Sequence, residues 1–275
     1  RIITIYLTFT QQARRNIMFI NLQIEPQLSR FTPITLDEMG KVRLMNRIDT
    51  KFITNSTNWL HLLPCFGKDY LVQEVMGRRI ASYHNIYYDT PHNAMYLAHH
   101  DGKKSREKIR IREYADTRQT FLEIKDKSNK GRTDKKRILL PETRQVICPA
   151  DNDFLSRHTL FGTDELRPCL ENYFERVTLV NRDKTERLTI DTNIRFRNLH
   201  TGREQSLPDL VIIELKQDGN RPSLARQLLV DHHIHPGGFS KFCIGSVLTD
   251  PALKQNRFKP ILIQINKTLN YELFS

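Results

Sequence analysis

Between Ser105 and Leu140 the chain places cations where a strand normally places core. The stretch reads SREKIRIREYADTRQTFLEIKDKSNKGRTDKKRILL, three extended runs parted by polar turns. Side chains on a strand alternate faces with period two. In the first run Arg106, Lys108, Arg110 and Arg112 therefore share one face, with Ile109 and Ile111 on the other. In the second, Phe121, Glu123 and Lys125 lie opposite Leu122 and Ile124; in the third, Lys135, Arg137 and Leu139 alternate with Lys136, Ile138 and Leu140. The apolar sets predict one face of a sheet packed on helices. The bland reading of the charged set is a solvated face, common in antiparallel sheets. Such faces usually mix signs, whereas here the first run is cationic throughout. Like charges paired across strands at ~6 Å repel by roughly 3 kcal/mol at an effective dielectric of ~20. A concave sheet or closed barrel that normally holds a polyanion relieves that repulsion.

The totals agree with an acidic partner. Lys and Arg number 43 against 31 Asp and Glu, a net charge of +12 over 275 residues. That balance fits nucleic acid, anionic lipid or a phosphorylated small molecule, and charge alone does not choose among them. Cys65, Cys148, Cys169 and Cys243 are scattered and form no C-x-x-C pair, which predicts buried thiols in a reducing compartment. His99-His100 and His232, His233 and His235 read as surface or helix-end residues. No run approaches the ~18 to 20 apolar residues of a membrane span. Ile2 to Phe9 is apolar but short, and no signal peptide is read there. Residues 1–17 read as an extension ahead of Met18.

Along the chain, Lys41 to Thr54 alternates, with Met45, Arg47, Asp49 and Lys51 on one face and Leu44, Ile48 and Phe52 on the other. Asn55-Ser56-Thr57 offers an N-cap for a helix to about Phe66. Tyr70 to Met76 and Arg79 to Tyr88 predict a hairpin around Gly77, and Pro91 opens a short helix to about His99. Pro168 to Val180, Thr185 to Asp191 (continuing to Asn198) and Leu210 to Lys216 read as strands. Ser223 to His233 and Phe239 to Leu248 read as helices, and Asn256 to Ser275 as a tail or packing strand. The expected division is an N-terminal extension (1–34), one domain (35–250) and a C-terminal tail (251–275). About eight strands with helices at the ends predict an α+β fold built on an antiparallel barrel.

Collecting the polar members of these strands gives Arg47, Lys51, Arg110, Arg112, Lys125, Lys135, Arg137, Arg176, Arg187, Lys216 and Lys241, with few acids: Glu123, Asp191 and Glu214. No Ser-His-Asp set, Walker loop or C-x-x-C cluster accompanies them. Many cations with one or two carboxylates is what phosphoryl transfer needs, because the cations neutralise phosphate oxygens and a carboxylate holds a divalent metal.

At these residues the chain resembles the VTC domain, the polyphosphate-polymerase domain of the vacuolar transporter chaperone complex, within the triphosphate tunnel metalloenzymes. The resemblance runs from about Arg43 to Leu248 and rests on an ordered series: R-I-D-T-K-F-I, Y-Y-D-T-P, I-R-I-R-E-Y, F-L-E-I-K, K-K-R, F-E-R, E-R-L-T-I-D-T, I-E-L-K and F-S-K-F. It implies an eight-stranded antiparallel β-barrel forming a tunnel, and transfer of the γ-phosphate of ATP to a growing polyphosphate chain with Mn²⁺ or Mg²⁺. By motif it implies phosphate-binding and catalytic roles for Lys51, Arg110, Arg112, Lys125, Lys135, Arg137, Arg176, Arg187 and Lys241, with Ser240 also on the phosphate and Glu214 on the metal. The partners implied are ATP and polyphosphate in the cytoplasm, with room for a membrane-protein partner and none for nucleic acid, since only Tyr114 interleaves the charged strands. Phe174 stands where the family often carries an aromatic hydroxyl, so one phosphate hydrogen bond is missing or supplied by Tyr173, and Gly238 stands where a further basic residue can occur. The E-x-E-x-K of the triphosphatase and cyclase branch is missing: Arg47 and Asp49 occupy those glutamate positions. Asp191 is expected to orient Arg187, and Glu123 to form a tunnel-wall salt bridge. A metal-dependent triphosphatase and a non-catalytic polyphosphate or inositol-phosphate binder stay open as alternatives.

Overall fold

Alternating faces build a sheet here, and its curl decides where the charges go. The structure, a computed structural model, describes residues 20–40, 47–128, 133–141, 144, 146–219 and 221–270. The first half runs α1 (20–28), β1 (Thr32–Ile34), α2 (Leu36–Gly40), β2 (Arg47–Asn55), α3 (Ser56–Leu62), β3 (Tyr70–Gln73), β4 (Ala81–Asp89) and α4 (Ala94–His100). The charged strands follow as β5 (Arg106–Tyr114), β6 (Gln119–Lys127) and β7 (Thr133–Leu140). Then come α5 (Asn152–His158), β8 (Arg167–Asn181), β9 (Glu186–Asn198), β10 (Glu204–Leu207) and β11 (Leu210–Asp218). The chain ends in α6 (Leu224–Asp231), α7 (Lys241–Thr249) and α8 (Lys259–Leu269). The expected alternation at Leu44 and Met45 lies outside the described residues, as does the extension over 1–17.

The 11-stranded sheet follows the path β2-β11-β9-β8-β4-β5-β6-β7, with β1, β3 and β10 added at its margins. Every neighbour on that path is antiparallel, so the expected α+β class and strand set are present. Among the described residues no ladder joins β7 to β2, so the strip curls without closing by hydrogen bonds. The outer edge of β2 is covered instead. Pro236 bridges Phe52, and Gly237 N–H donates to the Lys51 carbonyl at 2.8 Å, which blunts an otherwise open edge.

Helices cover the outside of the curl. Val177, Leu179, Leu188, Ile190, Val211, Ile213 and Leu215 of β8, β9 and β11 form one core with Trp59 and Leu62 of α3, Ala225 and Leu229 of α6, and Ile24 and Leu28 of α1. Ile109, Ile111, Leu122 and Ile124 belong to a second core with Met95 of α4 and Leu155 of α5. The α3 N-cap is Asn55 as expected, its side chain accepting from Asn58 N–H at 2.9 Å.

Three local readings change. The turn at Gly77 exists, with Val75 bridging Arg78, but β3 and β4 do not pair as a hairpin. Both lie along β8, β3 against Leu179–Asn181 and β4 against Arg167–Arg176. Helix α4 begins at Ala94, because the Asp89 carboxylate accepts from Met95 and Tyr96 N–H at 2.8 Å each and leaves Pro91 in the preceding turn. Within the described part of the C-terminal stretch, Lys259–Leu269 is helix α8, which packs on β2 and β11 with Leu262 and Ile265 buried.

Helix α7 sits inside one end of the curl. Phe242 meets the Tyr87 ring at 5.2 Å, and Gly245 backs onto β8 and β9. A Cβ on Gly245 would lie 2.4 Å from Phe196 Cδ1 and 2.8 Å from Leu170 Cδ2. Gly245→Ala is therefore expected to cost about 1–3 kcal/mol by overpacking, read as a lowered urea midpoint. An unchanged midpoint would mean that α7 does not sit this deep.

Candidate functional site

Cross-strand register collects the charges on one face. Lys51 pairs with Glu214, Glu214 with Thr189, and Arg176 with Asp191. Arg110 pairs with Glu123 and Lys108 with Lys125, and these continue to Arg137 and Lys135 on β7. Residues paired across a ladder point to the same side, and the curl turns that side inward. Lys125 of β6 acts electrostatically on Glu214 of β11, and Lys51 of β2 on Lys108 of β5, although these strands are far apart along the strip. Two of the inward side chains are well covered: Arg110 and Arg112 are only 7% and 8% exposed.

Two carboxylates anchor the interior. Glu123 is fully buried and accepts from Arg110 Nε at 2.9 Å and Nη2 at 2.6 Å, with the Lys135 ammonium on its other oxygen. Burial works to raise its pKa, but Arg110, Arg112 and Lys135 outweigh that and hold it below the usual carboxylate range. Glu123 is thus the wall salt bridge expected of it. Asp191 accepts two bonds from Arg176, at 2.6 and 2.8 Å, and also pairs with Lys241. It does not orient Arg187: register sets Arg176 beside Asp191, and Arg187 beside Lys216.

Glu214 sits between Lys51 Nζ at 3.6 Å and Lys216 Nζ at 3.2 Å. Burial again opposes ionisation, and Lys216, Lys51, Arg176 and Lys125 together lower its pKa. Lys216 also reaches Asp49 at 3.4 Å, and Asp49 takes Arg47 at 2.7 Å.

Other cations are in no direct ion pair with a carboxylate among the described residues, and Glu123, Glu214 and Asp49 act on them only at longer range. Arg110 first, then burial and Arg112, depress the Lys125 pKa well below the ordinary lysine value. Arg187 has a buried Nε with no hydrogen-bond partner, and burial, Arg47 and Arg176 all lower its pKa. Among the described residues Arg112 donates to the neutral Asn85 Oδ1, at 2.7 Å, and lies over the Tyr83 ring at 5.2 Å. Uncompensated buried cations are costly, and an anion between them removes the cost.

An aromatic floor completes the interior. Tyr83 and Phe174 stack at 5.0 Å, Arg176 lies over both rings, and Lys241 Nζ stands 4.5 Å from the centre of Phe174. Tyr173 does not substitute for the missing hydroxyl at Phe174. It lies on the outer face, stacked on His84 at 4.2 Å beneath Arg195. Arg137 stands at the exposed margin over the Phe121 ring, 4.6 Å from its centre. Ser240 caps α7, accepting from Cys243 N–H at 3.2 Å.

Lys51, Arg110, Arg112, Lys125, Lys135, Arg176, Arg187, Lys241 and Glu214 thus face one interior. Lys108 and Lys216 join them, outside the set carried over by motif, although the alternation already put Lys108 in line with Arg110.

A family model described as the VTC domain matches residues 46–249. The chain belongs to the VTC-domain family. No protein of curated function matches this VTC domain in sequence. Solved structures like it include proteins assigned as adenylate cyclases from Vibrio parahaemolyticus (13% identity, TM-score 0.43, 74% of this chain and 99% of that one) and Bacillus halodurans (15%, 0.44, 71% and 96%). Another is HpAC1 from Hippeastrum, described as having a dominant triphosphatase activity (14%, 0.47, 74% and 97%). Likenesses this distant bear on no residue's role.

Oxygen donors suited to a hard divalent cation lie together in this VTC domain. Beside the Glu214 carboxylate is the buried Thr189 hydroxyl, whose oxygen has no partner. Among the described residues no three His, Cys, Asp or Glu form a metal-holding group. An ion taken up at Glu214 would therefore have to draw most of its ligands from phosphate oxygens and water, the usual pattern for Mg²⁺. Among the described residues, no helix is long and apolar enough to cross a membrane.

Proposed function

We propose that this VTC domain transfers the γ-phosphate of ATP onto a polyphosphate chain inside its cationic interior, using Mn²⁺ or Mg²⁺ at Glu214. The observation that carries this reading is the surplus of inward cations: among the described residues Lys125, Arg187 and Arg112 face the interior in no direct ion pair with a carboxylate, so Glu123, Glu214 and Asp49 offset them only from a distance. Arg110, Arg112, Lys125, Lys135, Arg137 and Arg187 would clamp the donor phosphates. Lys51, Arg176 and Lys241, with Ser240 beside them, would align the acceptor. The attacking oxygen is already anionic, so no side chain need remove a proton, and catalysis reduces to positioning and charge neutralisation. The metal, when bound, neutralises charge that develops on the transferring phosphoryl group.

Asp49 favours transfer over hydrolysis. It is tied to Arg47 and Lys216, so the carboxylates that would hold a second metal and activate water are not free. Incubation with ATP and Mn²⁺ is expected to give ADP together with long-chain polyphosphate. ADP matched by orthophosphate would indicate a triphosphatase. Tripolyphosphate binding without turnover would indicate an anion-binding module.

A further inference from the structure

Lys108 is an inward cation that the motif series leaves without a role. It stands two residues before Arg110 on β5 and pairs with Lys125 of β6. Its Nζ donates to Ser240 Oγ at 2.9 Å, which carries the ammonium toward the start of α7. The groups around it are cationic or neutral. Arg106 and Arg110 act from its own strand, Lys125 from β6 and Lys51 from β2, while α7 contributes the Ser240 hydroxyl and the Cys243 thiol, and α4 contributes His99. Among the described residues no carboxylate pairs with it. A charge held among like charges by one hydroxyl is unfavourable until an anion arrives.

We propose that Lys108 is a phosphate ligand at the α7 end of the interior, where it grips the outermost phosphate of the bound chain together with Lys51 and Lys125. This assignment rests on reading the interior as a polyphosphate site. It places one end of the bound chain against the start of α7, beside Ser240. Burial is the main reason the Lys108 pKa falls to about 8, and Lys51, Arg110 and Arg106 push the same way. Phosphate favours the ammonium, so the bound pKa is the higher one. Near and above pH 8, binding therefore takes up a proton, and affinity falls as pH rises.

Calorimetry of tripolyphosphate binding without metal tests this, run near pH 7 and near pH 8.5 in buffers of different ionisation enthalpy. Lys108→Met is expected to bind about tenfold more weakly near pH 7, the scale of one charge-assisted contact. Lys108→Arg should stay within about twofold near pH 7, because its charge is kept at every accessible pH. It should also take up fewer protons than the wild type near pH 8.5. Wild-type affinity and proton uptake in both variants would overturn the assignment. So would a loss in Lys108→Arg equal to that in Lys108→Met, which would mean that lysine shape and not charge is needed. If the wild type binds no tripolyphosphate, the polyphosphate reading itself fails, which is a separate outcome.

Discussion

Glu214→Gln is expected to lower metal-dependent turnover of ATP by about 10²–10³-fold while tripolyphosphate binding stays intact or tightens. The substitution keeps the shape of the side chain and removes its charge. Glu214 lies 3.2 Å from Lys216 and 3.6 Å from Lys51, so losing that charge frees two ammonium groups for phosphate. A purely structural salt bridge would behave in the opposite way, with little change in chemistry and a loss of stability. Turnover with ATP and Mn²⁺, read beside calorimetric binding, separates these cases. Near-normal turnover in Glu214→Gln would remove the metal from the site assigned to it.

Arg110→Ala is expected to be the most damaging single change to stability, by about 3–5 kcal/mol, because it leaves a buried carboxylate short of its main partner. Glu123 is completely buried, and Arg110 supplies two of its contacts. Lys135 remains, but its side chain is 36% exposed and compensates only in part. Replacing both partners by apolar residues of similar volume, Arg110→Met with Glu123→Leu, should recover most of the loss. Urea unfolding of the single and double variants measures this. A wild-type midpoint in Arg110→Ala would show that the pair is not buried as described.

Alternation within a single strand made the charged face legible. Arg110, Arg112, Lys125 and Lys135 point where period two puts them, and the apolar backing of Ile109, Ile111, Leu122 and Ile124 is core. Pairing between distant strands was not legible, since nothing in β9 alone says that Asp191 meets Arg176 instead of Arg187. Strand parity already separates the two alternatives at Phe174, a missing hydroxyl or one supplied by Tyr173. Phe174 and Arg176 share a parity that Tyr173 does not, and Tyr173 accordingly stacks outside on His84. The terminal helices are legible in their apolar spacing. Ile20, Ile24 and Leu28 recur at helical spacing, as do Leu262, Ile265 and Leu269, with Pro260 in the first turn of α8. The hairpin at Gly77 misled for a different reason: its turn is local, but the long β8 strand outcompetes the two arms for each other.

Lysines and arginines from both margins of the sheet meet around one shared interior. A crystal structure with bound tripolyphosphate tests that most directly. The expected result is phosphate density beside Glu214, in contact with Lys51, Lys125 and Arg187. Density confined to the outer face, beside Arg195 and Arg197, with the interior ion pairs undisturbed, would contradict it.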